Sequence, residues 1–229
     1  MVDIKGNAER IRERVDVSAK KSGRTQSDIA IVAVSKTVSA NAVEQAAKAG
    51  FSDFGENRVQ EFLKKREVLG DSVKWHIIGP LQRNKVKYIL DGVCLLHSLD
   101  RLPLALEIER QCEIKEKSIS ALIQINIANE PTKSGVTEDE LEPLLESVSV
   151  LRSVRIKGLM AIPPFVLNAD DNRPYFARMK ALFDKFKQYD PSSTFEYLSM
   201  GMSGDFEAAI EEGSNMVRIG TAVFGARSK

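Results

Sequence analysis

Cysteine and histidine are scarce in this chain, and neither sign of charge is in surplus. In 229 residues there are two cysteines and two histidines. Cys94 and Cys112 have neither metal-ligand spacing nor the crowded framework of a small secreted domain, so reduced thiols in a cytoplasmic protein are the economical reading. His76 and His97 lie apart in sequence without carboxylate–histidine spacing, which argues against a metal centre. Lys plus Arg total 33 against 32 acids. That balance gives no whole-chain attraction to nucleic acid or to an anionic membrane. The basic clusters Lys64-Lys65-Arg66 and Arg83-Asn-Lys85-Val-Lys87 fall in helical patterns and read as solvated faces. No stretch approaches the roughly 20 apolar residues of a membrane helix. The segment from Met1 also lacks the apolar core of a signal peptide. With no linker, repeat or low-complexity segment, residues 1–229 read as one domain.

What is present is alternation. Hydrophobic residues make up 43% and charged residues 28% of the chain, an ordinary globular balance. An amphipathic helix over about 7–22 comes first, with Ala8, Ile11, Val15 and Ala19 on one stripe. Candidate strands follow at Ile29–Ser35, Asp53–Gly55, Lys74–Ile78, Gly92–His97, Ser120–Ile127, Arg155–Ile162, Phe195–Ser199 and Met216–Gly220. Between them fall candidate helices at Ala40–Ala49, Arg58–Leu69, Gln82–Leu90, Arg101–Lys117, Glu138–Leu151, Arg173–Tyr189 and Asp205–Glu212. Regular βα alternation predicts a parallel sheet with right-handed crossovers. Eight units in a length near the ~250 residues of a TIM-type barrel predict closure into a single (β/α)8 barrel with an extra N-terminal helix. No Gly-x-Gly-x-x-Gly fingerprint follows the first strand, which disfavours an open dinucleotide-binding sheet.

In such a barrel the loops at the carboxyl ends of the strands build the site, and those after strands 7 and 8 often hold phosphate. Lys36 ends the first strand, where it is either a solvated strand end or a desolvated amine able to form an imine with an aldehyde. The segment Leu198-Ser-Met-Gly201-Met-Ser203-Gly204-Asp205 reads equally as a helix cap or as an anion cradle with the Ser203 hydroxyl. Gly220 and Thr221 form a turn or supply a second set of phosphate donors. Arg218 shares Gly220's side of the sheet and needs an acceptor that is not evident nearby. Asn57 donates to a ligand oxygen or caps the next helix. His76 and His97 read as hydrogen-bonded core residues. Lys133 reads as solvated, in a mobile loop after strand 5. Since strand 8 closes on strand 1, an aldehyde bearing a phosphate would span Lys36 and the cradle, and pyridoxal 5′-phosphate (PLP) is such a ligand.

Seven segments in order carry a resemblance to a known family: Val32-Ala-Val-Ser-Lys36, Phe54-Gly-Glu-Asn57, Trp75-His-Ile-Ile-Gly-Pro-Leu-Gln82, Gln124-Ile-Asn-Ile127, Gly158-Leu-Met-Ala-Ile162, Leu198-Ser-Met-Gly-Met-Ser203 and Val217-Arg-Ile-Gly-Thr221. The chain resembles the pyridoxal phosphate homeostasis proteins, relatives of the N-terminal barrel of alanine racemase. The resemblance implies a PLP barrel with the cofactor held as a Schiff base on Lys36. It implies phosphate on Ser203, Gly220 and Thr221, Arg218 facing the pyridine nitrogen, and Asn57 near the ring. Arg58 departs from the tyrosine that relatives often carry and is expected at the mouth of the site. The reading is PLP storage or delivery in vitamin B6 homeostasis, with little or no turnover and PLP-dependent apoenzymes as recipients. A slow PLP-dependent racemase and a cofactor-free Schiff-base aldolase are the alternatives. A racemase needs a second base, and Tyr88, Tyr175, Tyr189 and Tyr197 all fall within elements. The helices show no unusually apolar outer face, so a monomer is expected.

Overall fold

The computed structural model describes residues 2–187 and 194–226. Its strands are β1 (Ala30–Val34), β2 (Asp53–Glu56), β3 (Lys74–Ile77), β4 (Val93–Leu99), β5 (Ile119–Ile125), β6 (Val154–Ala161), β7 (Tyr197–Met202) and β8 (Met216–Ile219). Each pairs in parallel with the next, and β8 returns to β1, so the sheet is a closed barrel. All eight expected strands exist, with no end moved by more than three residues. The largest shift is in β7, which was expected to stop at Ser199. Instead the β7–β8 register shifts between Ser199 and Met202, and Gly201, at φ 91°, carries the chain on.

Helices cover the outside: α1 (Ile4–Lys21), α2 (Ala40–Lys48), α3 (Val59–Leu69), α4 (Leu102–Lys115), α5 (Glu138–Ser149), α6 (Arg173–Lys187), α7 (Phe206–Glu211) and the short α8 (Thr221–Phe224). The end expected for α6 at Tyr189 lies outside the described residues. The helix expected over Gln82–Leu90 is a 3-10 helix at Arg83–Tyr88. Val86, Ile89 and Leu90 are buried, a spacing that either kind of helix offers, so the apolar pattern did not distinguish them.

Strand periodicity sorts the core into two layers. Outward side chains of the strands pack under the helices in one large cluster, while Val32, Leu95, Leu122, Met160 and Met216 fill the barrel interior. Trp75 on β3 lies against Phe54 of β2 and Phe62 of α3, with ring centroids 6.1 and 5.9 Å away. Each such buried ring contributes roughly 2–3 kcal/mol, which fixes α3 against the first strands. On β6, Gly158 at φ 140° is obligatory: a Cβ there would stand 1.9 Å from the Tyr197 carbonyl oxygen. Among the described residues, no helix is long and apolar enough to cross a membrane.

Candidate cofactor site

A cavity of about 440 Å³ opens at the carboxyl ends of the strands, within the ordinary range for small-molecule sites. Lys36, Asn57, Ser203, Arg218, Gly220 and Thr221 all line it. Residues spread over 186 positions of sequence therefore meet in one place. They do so because closure of the barrel sets β8 beside β1 in the register Val32 to Arg218 and Ala33 to Ile219.

Lys36 follows β1 and is half-buried, and the backbone on both sides of it is held by α3. The Ser35 carbonyl accepts from Lys65 Nζ at 2.6 Å, and the Ser35 hydroxyl donates to Glu56 Oε1 at 2.6 Å. On the other side, the Thr37 N–H donates to Glu61 Oε2 at 2.7 Å. That bond holds Thr37 at φ 64°, an unfavourable conformation for a β-branched residue. Lys65 Nζ also meets Glu56 Oε1 at 2.5 Å. Lys65 is thus buried and ion-paired, correcting the solvated reading of its cluster. Burial pushes the Glu56 carboxyl up, against the hydrogen bonds from Lys65 and Ser35 that pull it down. Among the described residues Glu56 Oε2 has no hydrogen-bond partner.

Opposite, Ser203 Oγ accepts from the backbone N–H groups of Gly220 at 3.1 Å and Ala222 at 3.4 Å. Two backbone donors and a hydroxyl therefore converge where β7 and β8 end, a donor set suited to an oxyanion. Asp205 does not cap α7 with its side chain. It ties its own loop instead, accepting from Met202 N at 2.7 Å and from Asn172 Nδ2 at 2.9 Å.

Arg218 is 3% exposed and has the acceptors that local sequence did not reveal. Nη1 donates to Ser199 Oγ at 2.6 Å and Nη2 to the Ala161 carbonyl at 2.8 Å. Burial pulls its pKa down to about 10, with the charge of Asp205 opposing. The guanidinium stays protonated at neutral pH and keeps three of its five N–H donors beyond those two bonds. Behind Ser199 lie both histidines: His97 Nδ1 is 3.1 Å from Ser199 Oγ, His97 Nε2 is 2.9 Å from His76 Nδ1, and His76 Nε2 is 3.0 Å from Asp53 Oδ1. The two are hydrogen-bonded core residues as expected, but the fold supplies the carboxylate partner that sequence spacing did not. Among the described residues no group of three or more His, Cys, Asp or Glu could hold a metal ion.

Asn57 lines the cavity and does not cap α3, whose N-cap is Arg58. Arg58 is exposed and is not one of the lining residues, so the departure from tyrosine does not fall on the cavity wall. Lys133 is half-buried at the cavity and bonds Glu130 at 2.7 Å and the Pro163 carbonyl at 3.1 Å, not solvated as expected. Its loop is pinned to β5 by Gln124 Nε2 donating to the Ser134 carbonyl and by a bridge between Ile125 and Val136. Tyr88, Tyr175 and Tyr197 do not line the cavity, and Tyr189 is outside the described residues.

A barrel with a lysine after its first strand and an oxyanion cradle after its last two defines the class, and comparison agrees. The alanine racemase N-terminal domain family matches residues 7–228. The pyridoxal phosphate homeostasis protein of Aquifex aeolicus is 44% identical over 219 residues, covering 95% of this chain and 96% of that protein. That of Escherichia coli is 39% identical over 235 residues, covering 99% and 98%. This chain belongs to the pyridoxal phosphate homeostasis protein family. Among solved structures, PipY of Synechococcus elongatus with PLP bound has a TM-score of 0.81 at 33% identity, covering 94% of this chain and all of that one. An alanine racemase from Clostridium difficile, at 16% identity and TM-score 0.71, shares the fold; the match covers 88% of this chain and 56% of that chain.

Proposed function

We propose that this chain binds pyridoxal 5′-phosphate through Lys36 and serves intracellular PLP homeostasis in the cytoplasm, with little or no turnover. The observation that carries the reading is the convergence of Lys36, Arg218 and the Ser203–Gly220 cradle on one cavity. PipY, a relative, has been crystallised with PLP. The residues fit the group. An amine, an oxyanion cradle and a buried arginine with N–H donors beyond its protein bonds match an aldehyde, a phosphate and a ring nitrogen. When bound, PLP supplies a reactive aldehyde and an electron-withdrawing ring.

Each residue then has a task. Lys36 attaches the aldehyde carbon, and the α3 contacts to Ser35 and Thr37 orient it. Ser203 and the N–H groups of Gly220 and Ala222 hold the phosphate, with Thr221 beside them. Asn57 lies at the ring. Arg218 donates to the ring nitrogen but has no proton to yield at neutral pH, leaving the ring a weak sink for electrons. Among the described residues no tyrosine lines the cavity to act as a second base, which favours a holding role over racemisation. PLP-dependent apoenzymes are the recipients, and the chain acts as a monomer.

The test is the absorption spectrum of the purified protein beside Lys36→Ala, before and after adding PLP. A yellow band that borohydride fixes on Lys36 in the parent, and that the variant lacks, is expected. A parent that stays colourless in excess PLP overturns the reading and favours a cofactor-free aldolase. Turnover of L- or D-amino acids by the loaded parent would move it to the racemases.

A further inference from the structure

Arg218 at the cavity and four side chains behind it form a continuous hydrogen-bonded line through the barrel interior. It runs from Asp53, the first residue of β2, through His76 on β3, His97 on β4 and Ser199 on β7 to Arg218 on β8. Its acid end is at the opposite mouth from the cavity, where the Asp53 side chain is 19% exposed. His76 is 3% exposed, and His97 and Ser199 are wholly buried.

Donor and acceptor arithmetic decides which way the line points. Arginine only donates, so Ser199 Oγ accepts from Arg218. An ionised carboxylate only accepts, so His76 Nε2 carries a proton toward Asp53. In a neutral ring His76 Nδ1 is then a lone pair and accepts from His97 Nε2–H. That leaves His97 Nδ1 as an acceptor for the Ser199 hydroxyl. Every contact holds one proton, and both imidazoles are neutral. The reverse order would set a lone pair of His76 against the Asp53 carboxylate. It would also give Ser199 two donors and leave its own proton without a place in the line.

We propose that Asp53, His76, His97 and Ser199 are positioning residues that form a one-way relay, orienting Arg218 and setting the hydrogen bond it offers to a ligand's ring nitrogen. The identity of the ligand rests on the reading above; the relay does not. Charges around it agree. Burial above all, with the positive charge of Arg218, holds His97 well below the usual imidazole range. Burial raises the Asp53 carboxyl, but the bonds from His76 and Ser52 and the charge of Lys74 outweigh it and hold the group below the usual carboxyl range. Cys94 and Tyr197 complete the titratable surroundings of Asp53, and Asp205 stands on the Arg218 side.

Asp53→Asn tests the direction, because an amide can donate to His76 as well as accept. With only two histidines, ring 15N resonances of the full-length protein report each tautomer. Without any ligand, both rings are expected with Nε2 protonated and Nδ1 bare. In Asp53→Asn a mixed or inverted pattern is expected. With PLP added, Asp53→Asn and Ser199→Ala should both displace the absorption maximum while borohydride still fixes the cofactor on Lys36. A protonated Nδ1 on His97, an imidazolium on either ring, or tautomers indifferent to Asp53→Asn overturns the relay. Unshifted spectra in both variants overturn its reach to the ring. Should Asp53→Asn not fold, Ser199→Ala decides alone: its His97 Nδ1 loses a donor and must shift. A parent that takes up no PLP sinks the proposed function, while the ligand-free tautomers still decide the relay.

Discussion

Replacing Lys65 by methionine removes the cation from a pair whose side chains are 7% and 0% exposed. Taking one partner from a buried pair leaves an uncompensated charge and costs about 3–5 kcal/mol. Glu56 can escape by taking up a proton, and burial already holds it above the usual carboxyl range. A carboxyl raised in the folded state binds more protons there than in the unfolded chain. Its contribution is therefore present at low pH and lost as pH rises through the folded pKa. Without Lys65 that folded pKa rises further. The expected loss is the full 3–5 kcal/mol at about pH 8 and clearly smaller at about pH 5. For a chain of this size it lowers Tm by roughly 6–20 °C on the alkaline side. Urea unfolding at both pH values measures it. The double variant Glu56→Gln/Lys65→Met should recover at least half, since a neutral amide still accepts from Ser35. A loss under about 1 kcal/mol at pH 8, or the same loss at both pH values, would refute the reasoning.

Three further outcomes are expected. Gly79→Ala would set a methyl 2.4 Å from the Asn57 carbonyl oxygen. It should cost about 1–3 kcal/mol in denaturant unfolding and weaken PLP uptake by displacing Asn57. Ser203→Ala should weaken PLP binding about tenfold, the worth of a hydrogen bond to a charged group, yet leave binding of phosphate-free pyridoxal unchanged in parallel titrations. Glu116 ends α4 in the left-handed region at φ 52°. Glu116→Gly should therefore raise stability by about 1 kcal/mol, a Tm gain of about 2–4 °C by calorimetry.

The barrel was legible because its strands announce themselves. Runs such as Ala30–Val34 suit strands covered on both faces, and charged helices separate them. The short β2 was the faintest, since Asp53 and Glu56 flank only Phe54 and Gly55. Both acids sit in a strand because Asp53 faces inward to His76 and Glu56 faces Lys65. The rule about barrel mouths points to Lys36, Ser203, Gly220 and Thr221, whereas Asn57 and Arg218 joined the candidates through the family resemblance; all six line one cavity. Lys65 was misread because its flanking charges hide that it falls three residues after buried Phe62 and six after buried Val59, on the same stripe. The internal line of Asp53, His76, His97, Ser199 and Arg218 was out of reach in its contacts. Only the inward parity of each strand hints at it, and parity cannot say which neighbours touch.

The helix α1 joins distant ends of the chain: Asn7 bonds the Val223 carbonyl at 2.8 Å, Arg14 pairs with Glu207 and Lys21 with Glu211. Its apolar face packs on α7 and α8, outside the seam where β8 meets β1. During synthesis, residues near 10 leave the ribosome long before residues near 210 exist, so α1 waits with Ile4, Ile11 and Val15 uncovered. Pairings of such high sequence separation are slow and leave sticky surface exposed in the interval. The sheet cannot close until the same late segment arrives. Seam and helix thus complete together, and Lys36 meets the Ser203 and Gly220 loops across the cavity only in that final step of folding.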